Sequence, residues 1–469
     1  MTSAVSSVGL RFLKLGFGEA AARILAFFAT VYLARTLGAS IYGVLVAAMT
    51  VVMYLTFVAD CGIEMLGVRE VADRPDALSQ TLPPILGGRV LVAIALLAVT
   101  LVVALTVVPK PDGPVLAVYA VTLLTVAMGT RWVHLGLEQP GNASWSRVIS
   151  EGTAALIVLL AVRHPDDLLR VPLAQVLGEL LGAIFLIRLL PATVRPLRLQ
   201  MRPAVLVPLV RRSWPMVLHG LLGLAIYNSD FLFLRAIKGS TAVGYYAAAY
   251  TLISFFQNLG VAYTMSLIPS LTRVRHDAMA ARALVDGATV QILAGGLPVA
   301  AGGIVVAMSL VTFIFGAGYA PSALPLQILL VIVPVALVRN VGQGVLIAFE
   351  RQDLMLRTVL WAAGANVVLN IVLIPRWGMT GAAAATLATE MVRTGLALRY
   401  SWRLGLSMTA PRRFYRVGIA TSIMALTVWV LGDRSVLLSV PIGALAYVGA
   451  LLAVGGIRLR RGAFPELAL

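Results

Sequence analysis

Charge is scarce in this 469-residue chain. Asp, Glu, Lys and Arg together make up 12% of it, about half the roughly 25% of an ordinary soluble domain. A chain so depleted cannot cover a water-exposed surface, which excludes a soluble enzyme. Cysteine is nearly absent: the single Cys61 excludes an internal disulfide and a multi-cysteine metal site, and it reads as an apolar filler at the end of a span. The four histidines (His134, His164, His219 and His276) fall on different elements without metal-ligand spacing. A Walker or dinucleotide glycine motif is missing too. No cofactor, metal or catalytic constellation is therefore expected, and no ATPase. An apolar run ending at a small-residue cleavage site is also lacking near Arg11 and Lys14, so the first span is expected to stay as a signal anchor.

What remains is apolar. Hydrophobic residues are 60% of the chain and the mean hydropathy is +0.93. Runs of about 20 apolar residues recur from end to end, each able to cross a ~30 Å hydrocarbon core. In lipid only helices or a closed barrel satisfy every backbone group. The runs lack two-residue alternation, so the expected class is an all-α integral membrane protein. Fourteen spans are predicted: 10–34, 41–61, 82–108, 114–136, 143–162, 168–190, 214–236, 242–268, 286–315, 321–347, 354–374, 379–400, 414–431 and 435–456.

The formal charge of +17 points away from nucleic acid once its placement is read. Of 37 Lys and Arg residues, Arg23, Arg89, Arg131, Arg339 and Arg393 are assigned to span interiors, eight of the others to one side and 24 to the other. The second side includes Arg195, Arg198, Arg202, Arg211 and Arg212 of the connection 191–213 and Arg458, Arg460 and Arg461 of the tail. A three-to-one bias of this kind orients the chain with both termini in the cytoplasm.

The chain also repeats itself. Gly38–Gly43 followed by Ala47-Ala48 matches Gly239–Gly244 followed by Ala248-Ala249. Glu138 matches Glu350, and Glu179 with Arg188 matches Glu390 with Arg399, at nearly the same shift. This predicts two related six-helix halves, 1–200 and 201–402, with 403–469 as an appended pair of helices and a basic tail. An even number of helices per half makes such repeats parallel.

Several patches then resemble a known family. They are Leu33-Ala-Arg-Thr-Leu-Gly-Ala-Ser-Ile-Tyr-Gly43, Asp60-Cys-Gly-Ile63, Val68-Arg-Glu70, Arg131-Trp-Val-His-Leu-Gly-Leu-Glu138, Arg212-Ser-Trp-Pro215, Asp230 with Gly244-Tyr-Tyr-Ala-Ala-Ala-Tyr250, and Ile374-Pro-Arg-Trp-Gly-Met-Thr-Gly-Ala-Ala383. In order and spacing they resemble bacterial polysaccharide flippases, a branch of the multidrug/oligosaccharidyl-lipid/polysaccharide exporter superfamily. The resemblance implies two six-helix lobes in a V around a central cavity that alternates its opening. It also implies a polyprenyl-pyrophosphate-linked oligosaccharide as cargo, bacterial inner-membrane residence, and a polymerase or other biosynthetic proteins as neighbours. One departure is Arg131, where the family usually carries an acid before the tryptophan.

Moving such a lipid requires a hydrated, preferably cationic path, because an unpaired charge in the core costs at least ~3 kcal/mol. Intramembrane polar residues are thus the candidates. Arg23, Arg339, Arg89 and Arg131 are expected to hold pyrophosphate or acidic sugars, with Asn340 and Gln343 beside Arg339 as lining. For Arg89 and Arg131, snorkelling at a span end is an alternative. Glu19 and Arg23 lie four apart on one helical face, so they either pair with each other or leave Arg23 free for phosphate. Asp230 and Glu19 are candidates for ion coupling; Asp230 could instead pair with an arginine such as Arg235. Glu390 with Arg393, Glu179 and Glu151 read as interhelical hydrogen-bonding groups. Trp132, Trp145, Trp214, Trp361 and Trp377 read as interfacial belts, and Trp132 could instead stack on sugar. The expected function is a lipid-linked oligosaccharide flippase acting as a monomer. Another exporter of the same superfamily, for lipid II or for cationic drugs, is the alternative.

Overall fold

The computed structural model describes residues 2–60, 62–195, 199–200, 203–406, 414–431, 436–458 and 466–467. Cys61 and the arginines at 460 and 461 lie outside them. The described chain is helical apart from short 3-10 turns, loops and a two-residue antiparallel pair, Ile457–Arg458 with Glu466–Leu467. Its helices are α1 (Thr2–Asp60), α2 (Ile63–Asp73), α3 (Leu78–Thr106), α4 (Asp112–Ala120), α5 (Thr122–Ala127), α6 (Arg131–Gly136), α7 (Pro140–Ala161), α8 (Arg170–Arg188), α9 (Pro203–Lys238), α10 (Ser240–Val274), α11 (Ala278–Phe315), α12 (Ala323–Ala348), α13 (Gln352–Arg403), α14 (Tyr415–Leu431) and α15 (Val436–Ala453).

Eleven helical stretches among the described residues are long and apolar enough to cross a membrane. Two of them hold two spans each. α1 breaks at Gly38 (φ 73, ψ 165) and α13 at Gly378 (φ 57, ψ −132), conformations that only glycine adopts without strain. The shorter apolar helix α14 adds to these, which brings the count to about the fourteen spans expected. This is a multi-pass membrane protein.

The chain forms two compact units, 1–224 and 225–469. Their boundary falls inside α9 and not in the basic connection 191–213. The start of α9 packs into unit 1, where Gly62 lies against Ser213 and Val217, and Gly220 against Phe57. In unit 1, α7 packs along both α1 and α8. The α7–α8 approach is close because a Cβ at Gly178 would lie 2.4 Å from Ser150 O. Small residues of this kind are what bring membrane helices together. In unit 2, α12 is central, packed by α10, α11 and α13, and α14 and α15 lean on α11.

The repeat is visible in the backbone. Glu138 and Glu350 are the two non-glycine residues with positive φ among those described, both at 58°. Each closes its helix in the same way. Gln139 N–H donates to His134 O and Glu138 N–H to Leu135 O; Arg351 N–H donates to Leu346 O and Glu350 N–H to Ile347 O. That is the Schellman pattern, at the shift of 212 seen in the sequence. Gly38 and Gly239 likewise share a backbone conformation (φ 73, ψ 165 against φ 86, ψ 178).

Candidate functional site

Unit 1 carries a charged face built on α1, α6, α7 and α8. Arg131 Nη2 meets Glu19 Oε1 at 2.7 Å. Arg147 Nη2 meets Glu151 Oε1 at 3.1 Å and its Nη1 lies 3.8 Å from Glu179 Oε1, to which Gln175 also donates at 3.3 Å. Glu19 therefore partners Arg131 and not Arg23, although Arg23 is one turn away. Arg23 is exposed and makes no ion pair with the described residues. The face is partly exposed: the side chains of Glu19, Arg131 and Arg147 are 29%, 38% and 43% exposed. Charged groups at span depth that keep this exposure face either a water-filled path or the protein interior, since lipid does not solvate them.

Two other candidates of unit 1 are placed in its interior. Arg89 is buried and does not snorkel. Its Nη2 pairs with Asp60 at 3.0 Å, while Nη1 and Nη2 donate to Gly129 O at 3.1 Å and Val126 O at 3.3 Å. These carbonyls close α5, where the fourth span breaks before α6. A cation there satisfies exposed helix-end acceptors and the end dipole. Trp132 is 1% exposed and is not part of an interfacial belt. It lies under α2, where a Cβ on Gly67 would come within 2.5 Å of its ring, in an apolar cluster with Val71, Leu82, Leu86 and Leu190. Trp145, Trp214, Trp361 and Trp377 are exposed.

Unit 2 is different in kind: its intramembrane charges are buried. Asp230 on α9 is fully buried and accepts from Tyr246 Oη at 2.8 Å, from Asn370 Nδ2 at 2.6 Å and from the Thr386 hydroxyl. The pairing with Arg235 does not form. Around it, Ser229 donates to Asn366 Oδ1 at 2.8 Å and Asn370 to the same oxygen at 3.0 Å. The carbonyl oxygen of Asn370 is a buried acceptor without a partner. Oxygen atoms clustered beside a carboxylate are the donor set that hard cations take.

Farther along α13, Glu390 is shared by two arginines: Arg339 Nε at 2.8 Å and Arg393 Nη1 at 2.8 Å. Arg339 also donates to Gln343 at 2.8 Å, and Arg393 to the Tyr227 hydroxyl at 2.5 Å, with its guanidinium 5.2 Å from that ring's centroid. Arg339 is thus held by protein acceptors. Asn340 points the other way, against Gly260 on α10, and its Nδ2 is buried without a partner. Sequence reasoning missed Arg147, Tyr246, Asn366, Asn370, Thr386 and Thr389. Asn366 with Asn370, and Thr386 with Thr389, Glu390 and Arg393, form polar stripes at helical spacing on an otherwise apolar helix, which is the signal that marks them.

No curated protein sequence matches the chain. Among solved structures, the lipid II flippase MurJ in an inward closed conformation is similar, with a TM-score of 0.78 and 13% identity over 93% of this chain and 97% of that one. An inward-facing multidrug resistance MATE family transporter of the MOP superfamily aligns at 0.58 and 14% identity, over 82% and 94%. A mutant of the Vibrio cholerae MATE transporter VcmN aligns at 0.51 and 15%, over 86% and 98%. At such identities the likeness is one of fold. The profile of the family described as "Polysaccharide biosynthesis protein" matches residues 12–275, more than half the sequence. The chain therefore belongs to the polysaccharide biosynthesis protein family.

Proposed function

We propose that the protein is a flippase of the bacterial inner membrane. It carries polyprenyl-pyrophosphate-linked oligosaccharide from the cytoplasmic to the outer leaflet by alternating access, for surface polysaccharide synthesis. The observation that carries this reading is the half-exposed charged face of unit 1, on a chain of the polysaccharide biosynthesis protein family. Arg23, Arg131 and Arg147 on that face offer guanidinium forks suited to phosphate. Glu19, Glu151 and Glu179 keep those arginines from trapping the cargo. Asp230, ringed by neutral donors and a spare carbonyl oxygen, is the coupling-ion residue, with Glu19 as the second candidate. Arg339 and Gln343 support the coupling network, Asn340 packs against α10, and Arg89 and Trp132 support the fold around the cargo path. Both termini lie in the cytoplasm, the protein works as a monomer, and a polysaccharide polymerase is its functional partner.

The test is transport by purified protein in liposomes, using a fluorescent polyprenyl-pyrophosphate oligosaccharide and a membrane-impermeant quencher. The wild type exposes the label on the opposite leaflet, and Arg131→Ala with Arg147→Ala slows this at least about tenfold. The acids of unit 1 favour one second reading, a lipid II flippase or cation-coupled drug antiporter of the same fold. Extrusion of an organic cation without movement of the labelled lipid would favour that reading and overturn the first.

A further inference from the structure

The four ionised groups buried in unit 2 cancel formally, but they are not arranged as two pairs. Glu390 is bonded by both Arg339 and Arg393, so this trio carries one positive charge in excess. Asp230 is met only by hydroxyls and an amide, and no cation lies within ion-pair distance of it among the described residues. The two centres share their scaffolding. Tyr227, bonded to Arg393, is three residues from Asp230 on α9. Thr386, bonded to Asp230, is four residues from Glu390 and seven from Arg393 on α13. At 1.5 Å per residue the trio is roughly 6–10 Å along that helix from the Asp230 contact.

We infer that the Arg339–Glu390–Arg393 trio is the internal counter-charge of Asp230 and sets how weakly that residue holds its coupling cation. An ionised carboxylate buried with neutral donors alone is costly. An excess positive charge about one and a half turns away offsets that cost without occupying the carboxylate. When a proton or monovalent cation binds Asp230, the same excess charge opposes it. Across roughly 8–10 Å at an effective dielectric constant of ~20, one unit charge changes the cation affinity about twentyfold. The trio thereby lets the site empty during each cycle. None of its three members touches the cation; they are positioning residues that act through charge. The inference rests on the reading of Asp230 as the coupling residue.

Charge arithmetic separates this role from a structural one. Glu390→Gln raises the trio from +1 to +2, and Arg393→Gln or Arg339→Gln lowers it to zero. The double variant Glu390→Gln/Arg393→Gln returns it to +1 with the wild-type bonds broken. The measurement is proton affinity of Asp230 in the full-length protein in nanodiscs, from the carboxyl infrared band assigned by its loss in Asp230→Asn, with sodium binding followed by calorimetry in parallel. Cation affinity is expected to fall about twentyfold in Glu390→Gln, rise about twentyfold in each single arginine variant and return to the wild-type value in the double variant. Affinity that follows the number of broken bonds, with the double variant furthest from wild type, would overturn the inference, as would an unchanged series. Lipid transport indifferent to Asp230→Asn would remove the coupling reading instead, while leaving the affinity series to stand or fall by itself.

Discussion

Arginine behaves in three ways in this protein, and its surroundings decide which. Arg89 is held through both its terminal nitrogens by Asp60 and two helix-end carbonyls. Arg339 and Arg393 share one buried carboxylate. Arg131 and Arg147 pair with acids while staying partly exposed. These settings predict different costs. Removing a partner from a buried pair leaves an uncompensated charge, worth about 3–5 kcal/mol, whereas partly exposed pairs contribute about 0–1 kcal/mol. Glu390→Gln should therefore lower the unfolding temperature in detergent strongly, and Glu19→Gln hardly at all. Equal losses in the two variants would mean that the partly exposed face of unit 1 is structural. The stability gap should also coincide with a functional inversion, in which Arg131→Ala keeps the fold and loses transport.

At the scale of elements, glycine decides where helices touch. Trp132 is buried because Gly67 leaves its ring room under α2, and Gly136 on α6 does the same for Val68 and Val71. Gly67→Leu should push α2 away from α6, destabilise by about 1–3 kcal/mol and shift tryptophan emission to the red; unchanged emission and melting would show that α2 is not anchored there. The spacing of apolar residues marked α6 only as part of a span. It contained no sign that the span breaks at 128–130 and that Arg89 closes the break, because that contact joins residues about 40 apart. The glutamates at 138 and 350 were visible as a repeat, yet their left-handed backbone was not. A glutamate is an unusual choice for that conformation, and only the helix-end hydrogen bonds explain it.

For the molecule as a whole, the even number of spans and the charge bias predict that both ends share a compartment. A fluorescent protein fused at the C-terminus should fold and glow in a bacterial host, while alkaline phosphatase fused there should be inactive. The reverse result would invert the orientation and with it the direction proposed for the cargo. The units also differ in chemistry: unit 1 carries a half-exposed charged face beside the buried Arg89, and unit 2 buries Asp230, Arg339, Glu390 and Arg393. This division was illegible in the sequence. Arg131 and Arg339 look alike there, each an arginine in an apolar run.

The sequence by itself determined the membrane class and the family, because these follow from properties summed over many residues. Hydrocarbon demands long apolar runs. Tertiary structure alone decided what each polar side chain does. The fate of a buried charge depends on which groups lie within about 3 Å of it, and those groups come from other helices: Glu390 for Arg339, Asp60 for Arg89, Glu19 for Arg131. The scarcity of charge with which the chain announces itself is thus resolved only by pairing. Few charges are present, and all but Arg23 among the candidates are held by a named partner.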